Sequence, residues 1–284
     1  MKILILGIPK TGTTFLYSKI GKSEACKGYD IYFEPSQRRS MLFEKQMILD
    51  IKKSKNVVTK DVYTSKHCSP DHIHLMEHGI YDKKIIIIRD PRDQVISSFM
   101  FDLSSNKVLY EKTGNITRAQ AEVYDIVSRK QQSPSDISFV SVVADCSEVL
   151  NIGSDYIENK LSVYNGFYHY IGGLNKEKYC KIKYEDLVDN NIVALEKYLG
   201  FSLCGGKNIV DTQYSRVVRS KQKRNWIKWF TQQDCEHFQD LGISNILDKY
   251  EYSSKGLNPS KQVLEASNCQ EYLKKVWDSK YWSV

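Results

Sequence analysis

The chain opens on a short uninterrupted apolar run, Ile3-Leu4-Ile5-Leu6, closed by Gly7. Such a run without polar alternation is what a strand covered on both faces requires. After a turn, the segment Thr13 to Ile20 carries apolar residues at Leu16 and Ile20, the i, i+4 spacing of a helix. Val57-Val58-Thr59 is a second short β-branched run, and Ile85 to Ile88 places four isoleucines in a row. Consecutive β-branched side chains restrict χ1 and favour a strand over a helix. Segments of helical length separate these runs, so the alternation is βαβ and implies a parallel sheet with helices on both sides.

From Phe101 to Tyr179 the pattern turns mostly helical and polar, with tyrosines at 110, 124, 156, 164, 168, 170 and 179. Few strand signals interrupt it, and the spacing predicts a helical cap inserted over about 102–178. Alternation resumes at Lys181-Ile182-Lys183-Tyr184, predicting a later strand with Cys180 in its core-facing part. Asn190 to Leu199 reads as a helix stopped by Gly200, and Thr231 is a candidate N-cap for another. Without internal repeats or low-complexity linkers, residues 1–284 are expected to form a single domain. The predicted class is α/β, a three-layer sandwich around a central parallel sheet with a helical cap.

Composition narrows the partners. Of the 284 residues, 41% are hydrophobic and 26% charged, which is ordinary for a globular protein and excludes general disorder. The net charge of +7 suits attraction of a polyanionic small molecule; it equally fits a surface solubilised by lysine and does not single out nucleic acid. No segment approaches the ~20 apolar residues of a membrane span, and the N-terminal run is too short for a signal-peptide core. Seven scattered cysteines, an odd number with no Cys-x-x-Cys pair, argue for reduced thiols in a cytoplasmic protein without a zinc site. His72, His74 and His78 lie close together, but nothing beside them completes a metal site, so no metal is predicted.

The sharpest local signal is Gly7-Ile8-Pro9-Lys10-Thr11-Gly12-Thr13-Thr14, between a strand and a helix. Gly-x4-Gly followed by two hydroxyl residues is the spacing of a phosphate-binding loop, whose backbone N–H groups and helix N-terminus attract an anion. The departure is informative. A nucleoside triphosphatase has lysine directly after the second glycine, where Thr13 stands here, and the lysine has moved into the loop as Lys10. Magnesium-dependent ATP chemistry is disfavoured. A lysine inside the loop suits charge neutralisation on a leaving group.

Residues 9–14, Pro-Lys-Thr-Gly-Thr-Thr, resemble the 5′-phosphosulfate loop of the sulfotransferases that use 3′-phosphoadenylyl sulfate (PAPS). The resemblance implies a P-loop-like fold, with Lys10 at the sulfate-bearing anhydride and Thr11, Gly12, Thr13 and Thr14 holding the 5′-phosphate. A second motif of that family, an arginine at a strand end, a proline two residues on and a serine eight residues on, is matched by Arg89, Pro91 and Ser97. Arg89 and Ser97 are thereby implied to read the 3′-phosphate, although Arg-Asp-Pro-Arg-Asp in isolation also reads as a charged helix cap. Tyr184-Glu185-Asp186 is similar to a family segment whose tyrosine lies near the adenine. Arg219 and the run Trp226 to Thr231 resemble the family's C-terminal segment, in which the lysine and both glycines are replaced here by Ser220, Lys221 and Arg224. The Lys221 side chain would then reach the donor in place of backbone amides.

The resemblance further implies that Lys60 touches the transferring group, since Lys60-Asp61-Val62 stands where many members carry Lys-Thr-His. The histidine base is absent. Glu34, Asp61 and His67 compete for the role of base. The activity implied is sulfuryl transfer from PAPS to a hydroxyl or amine of a small molecule, releasing 3′,5′-ADP, by a monomer or homodimer that binds neither membrane nor nucleic acid. A small-molecule or nucleotide kinase and a noncatalytic nucleotide-binding protein are the alternatives.

Overall fold

A computed structural model of the chain describes residues 1–34, 41–64, 79–105, 118–203, 222–253 and 263–278. Five strands, β1 (Lys2–Gly7), β2 (Asp30–Phe33), β3 (Val57–Val62), β4 (Lys83–Ile88) and β5 (Cys180–Lys183), form one sheet in the order β2-β3-β1-β4-β5. Every pairing is parallel. The three apolar runs read from the sequence are β1, β3 and β4, at the centre, and Lys181 to Lys183 falls in edge strand β5. Strand β2 was not foreseen: four residues with Asp30 and Ile31 exposed give no long apolar run.

The helices are α1 (Thr13–Gly21), α2 (Met41–Lys53), α3 (Pro91–Ser105), α4 (Arg118–Gln132), α5 (Phe139–Leu150), α6 (Tyr156–Gly172), α7 (Tyr184–Val188), α8 (Val193–Leu199), α9 (Trp226–Trp229), α10 (Gln232–Asp240), α11 (Ile243–Lys249) and α12 (Gln270–Trp277). Helix α8 ends at Gly200 with φ 83°, the left-handed stop anticipated from its sequence. No helix among the described residues is long and apolar enough to cross a membrane.

The chain divides into two compact units, Met1–Arg89 with Val163–Asp211 and Asp90–Ser162 with Thr212–Val284. The first contains the sheet. On one face Ile3, Ile5, Val58, Ile85, Ile87 and Ile182 pack with Leu16, Tyr17 and Ile20 of α1 and with Leu187, Leu195 and Leu199 of α7 and α8. Leu4, Leu6, Ile86 and Ile88 on the opposite face are buried as well. Burial on both faces explains why these strands read as continuous apolar runs. Cys26 in this core has its thiol pushed up to about 11 by desolvation, the behaviour of a packing residue. Cys180 is half-buried on β5 rather than fully in the core. Cys26, Cys146, Cys180, Cys235 and Cys269 are all free thiols, and Cys68 and Cys204 lie outside the described residues.

The second unit is helical, and it gathers α4 and α5 from the segment read as a cap together with the C-terminal helices. Asp90 begins it. Its carboxylate accepts from the Arg92 backbone N–H at 3.0 Å, capping α3, and binds the Arg92 guanidinium through both oxygens at 2.9 and 2.7 Å. The Arg92 guanidinium also lies 3.6 Å from the centre of the Trp226 ring. Thr231 caps α10 as anticipated, in a capping box with Asp234. Asp234 is fully buried and accepts from the backbone N–H groups of Phe139, Val140 and Thr231 at 2.8, 2.9 and 2.7 Å. One carboxylate thus satisfies the starts of α5 and α10, donors that have no partner within their own helices. Asp234→Ala is therefore expected to destabilise the protein by on the order of 3 kcal/mol in urea unfolding, the cost of stranding buried donors. A loss below ~1 kcal/mol would contradict this account.

Candidate active site

In a parallel sheet the carboxyl ends of all strands lie along one edge, where α/β proteins bind ligands. Each strand of this sheet carries a candidate residue at or near that end. Lys10 follows β1, Glu34 follows β2, Lys60 lies in β3, Arg89 follows β4 and Tyr184 follows β5. All five belong to the first unit.

The loop after β1 is built by close packing. A Cβ on Gly7 would lie 2.6 Å from the Ile87 carbonyl oxygen and 2.7 Å from the Thr11 hydroxyl, so only glycine fits. The Thr11 hydroxyl is fully buried and donates to the Ile8 carbonyl at 2.7 Å, and the Thr11 N–H closes the same turn at 3.2 Å. Thr11 therefore shapes the loop with its side chain. Gly12, at φ 94°, is the N-cap of α1, and no side chain caps this helix end. The first-turn N–H groups of α1, at Thr13 and Thr14, supply the donors and positive potential that a phosphate needs. Lys10 has φ 70°, a left-handed conformation that costs a non-glycine residue on the order of 1 kcal/mol.

Glu34 has φ 45°, so two of the candidate residues hold a backbone that side chains rarely adopt. Its N–H donates to the Lys60 carbonyl at 2.7 Å, extending the β2–β3 ladder past the last pair, Phe33 with Lys60. That extension brings the Glu34 carboxylate onto the Lys60 ammonium, and the two form an ion pair. The Lys60 side chain is only 2% exposed and that of Glu34 29%. The Lys60 Nζ also sits 4.3 Å from the centre of the Phe33 ring, which itself packs edge-on against Tyr17 at 5.7 Å. Strand alternation sends Asp61 to the opposite face of the sheet, in register with Leu6, where it is buried. Burial pushes the nearby Tyr81 phenol upward, and its hydroxyl donates to Thr59 at 3.0 Å.

On the other side of β1, the β4–β5 register ends with Ile88 opposite Lys183, so Arg89 and Tyr184 emerge as neighbours. The Arg89 guanidinium lies 4.3 Å from the centre of the Tyr184 ring and donates through Nη1 to the Lys10 carbonyl at 3.0 Å. Both residues are buried. Ser97 lies two turns into α3, in the second unit. His67, Arg219 and Lys221 fall outside the described residues.

Two features of the site had no counterpart in the sequence reading. One is the Glu34–Lys60 pair, which depends on the unforeseen strand β2. The other is an aromatic cluster beyond β3, with Tyr63 5.0 Å from Phe167 and stacked on Tyr170 at 5.4 Å. The tyrosines of α6 thus serve packing at least at Tyr170. No group of three or more His, Cys, Asp or Glu among the described residues could hold a metal ion.

The family model described as the Sulfotransferase domain matches residues 1–245. No curated protein sequence matches the chain. Among solved structures, mouse sulfotransferase SULT7A1 complexed with PAP is similar at 15% identity, covering 89% of each chain, with a TM-score of 0.46. Retinol dehydratase in complex with androsterone and inactive cofactor PAP is similar at 13% identity over 90% of this chain and 83% of its own, with a TM-score of 0.44. The sulfotransferase domain from the curacin biosynthetic pathway is similar at 13% identity over 89% and 98%, with a TM-score of 0.37.

Proposed function

Since the chain belongs to the Sulfotransferase domain family, we propose that it moves the sulfuryl group of PAPS onto a hydroxyl or amine of a small molecule. The observation that carries this reading is the convergence of two cation-bearing anion sites, the Lys10 loop and Arg89, on one edge of a parallel sheet. The residues present fit the donor. Uncapped N–H groups of α1 suit the 5′-phosphate, and a buried arginine one strand away suits a 3′-phosphate.

The donor supplies the sulfuryl group and a good leaving group. Lys10 stabilises the negative charge that develops on the leaving phosphate oxygen, and Lys60 stabilises the charge on the peripheral sulfuryl oxygens. The acceptor oxygen or nitrogen forms the new bond to sulfur as the sulfur–oxygen bond to the phosphate breaks. The acceptor proton passes to Glu34, whose carboxylate stands beside Lys60 and is part-exposed. The products are a sulfated acceptor and 3′,5′-ADP. Asp61 suits this role less well because it projects from the other face of β3.

Transfer of radiolabelled sulfate from PAPS to a panel of hydroxyl and amine acceptors tests the reading. Label on an acceptor supports it. Tight binding of 3′,5′-ADP without any transfer would favour a noncatalytic binder, and phosphate transfer from ATP a kinase. With an acceptor in hand, Glu34→Gln is expected to lower kcat by about 100-fold at saturating PAPS, the scale of a lost general base. Unchanged turnover would remove Glu34 from the mechanism.

A further inference from the structure

Tyr184 is more deeply committed to the protein than a residue offered only to a ligand. It is 5% exposed, and its ring lies against two elements of the donor site at once. One is the Arg89 guanidinium, 4.3 Å from the ring centre. The other is the phosphate loop, because a Cβ on Gly12 would come within 2.4 Å of Tyr184 Cδ2 and 2.9 Å of Cε2. Arg89 closes the circuit by donating to the carbonyl of Lys10 in that same loop at 3.0 Å. The register explains the arrangement: Ile88 and Lys183 are the last β4–β5 partners, so the next residues, Arg89 and Tyr184, leave the sheet side by side.

We propose that Tyr184 is a positioning residue that aims Arg89, so that recognition of the donor's 3′-phosphate depends on the aromatic face of Tyr184 rather than on its hydroxyl. The proposal rests on the reading of Arg89 as the 3′-phosphate ligand. An arginine side chain has several rotatable bonds, and ordering it costs free energy at each binding event unless it is held beforehand. The Tyr184 ring beside the guanidinium and the hydrogen bond from Nη1 to the Lys10 carbonyl both restrain it. The same ring buttresses Gly12, which ties the 3′-phosphate ligand to the 5′-phosphate loop through one side chain.

The test compares Kd for 3′,5′-ADP and for 5′-AMP, which lacks the 3′-phosphate, in the full chain by calorimetry. The variants are Tyr184→Phe, Tyr184→Leu, Tyr184→Met and Arg89→Ala. The expected result is that Phe keeps the wild-type preference for 3′,5′-ADP within about twofold. Leu and Met, which fill space without a ring, should each reduce that preference by ~10-fold, the scale of a desolvated cation–π contact, while 5′-AMP affinity moves less. Loss of the preference in the Phe variant would overturn the proposal in favour of a hydroxyl contact. Equal loss of both ligands in Leu and Met would overturn it in favour of plain packing. Retention of the preference in Leu and Met, when Arg89→Ala abolishes it, would overturn the proposal while leaving Arg89's role intact. Retention in Arg89→Ala would remove that role itself and the proposal with it.

Discussion

Replacing Lys60 with methionine is expected to reduce kcat by about 1,000-fold while leaving the Kd of 3′,5′-ADP within about threefold of its original value. The expected split follows from where Lys60 sits. Its ammonium is buried on β3, paired with Glu34 and lying over the Phe33 ring, whereas the loop proposed for the 5′-phosphate is built from β1 and α1. Methionine keeps the length and packing of the stem but removes the charge. On the proposed mechanism two losses then coincide: the developing charge on the sulfuryl oxygens goes unmatched, and Glu34 loses its ion-pair partner. Lys60→Arg is not a conservative rescue, because a planar guanidinium presents its donors in a different geometry from a compact ammonium. Steady-state transfer kinetics and calorimetry on the same preparation decide the matter. Transfer retained within tenfold would show that Lys60 serves the fold alone.

Gly12→Ala should abolish donor binding altogether. Two costs add at this position. A left-handed backbone at φ 94° disfavours alanine by on the order of 1 kcal/mol. The new methyl group would also stand 2.4 Å from Tyr184 Cδ2, where overpacking costs roughly 1–3 kcal/mol. The steric term dominates, because the ring is buried and lies 4.3 Å from the Arg89 guanidinium. Relief comes only from displacing the loop, and that moves the α1 N–H groups away from the phosphate. A melting midpoint lowered by several degrees and no detectable 3′,5′-ADP binding are expected, measured by calorimetry. Gly21→Ala provides the control, since nothing lies within 4 Å of a Cβ there. Wild-type affinity in Gly12→Ala would mean that the close approach of Tyr184 is not needed for the site.

What was legible in the chain follows a physical rule. The buried central strands β1 and β4 announce themselves because burial on both faces demands continuous apolar residues, and β3 does so through its β-branched start, Val57-Val58-Thr59. The phosphate loop is equally local: two glycines, a displaced lysine and a helix start occupy eight consecutive residues, and their chemistry is set by that spacing. Arg89 at a strand end, Gly200 as a helix stop and Thr231 as an N-cap are likewise decided by neighbours within a few positions. The alternation of short apolar runs with helical segments was therefore enough to specify the α/β class, and the loop with the strand-end arginine carried the resemblance that implied the donor.

Tertiary structure alone decided the rest, because those contacts join residues far apart in sequence. The meeting of Glu34 with Lys60, 26 positions away, arises only because β2 pairs with β3. Asp61, adjacent to Lys60 in sequence, was sent to the opposite face by the period of two along a strand. The contacts of Tyr184 with Arg89 and Gly12 are likewise set by the β4–β5 register and not by its neighbours in sequence. Spacing within one segment determines backbone geometry and the groups available for chemistry. Strand order and register determine which of those groups meet.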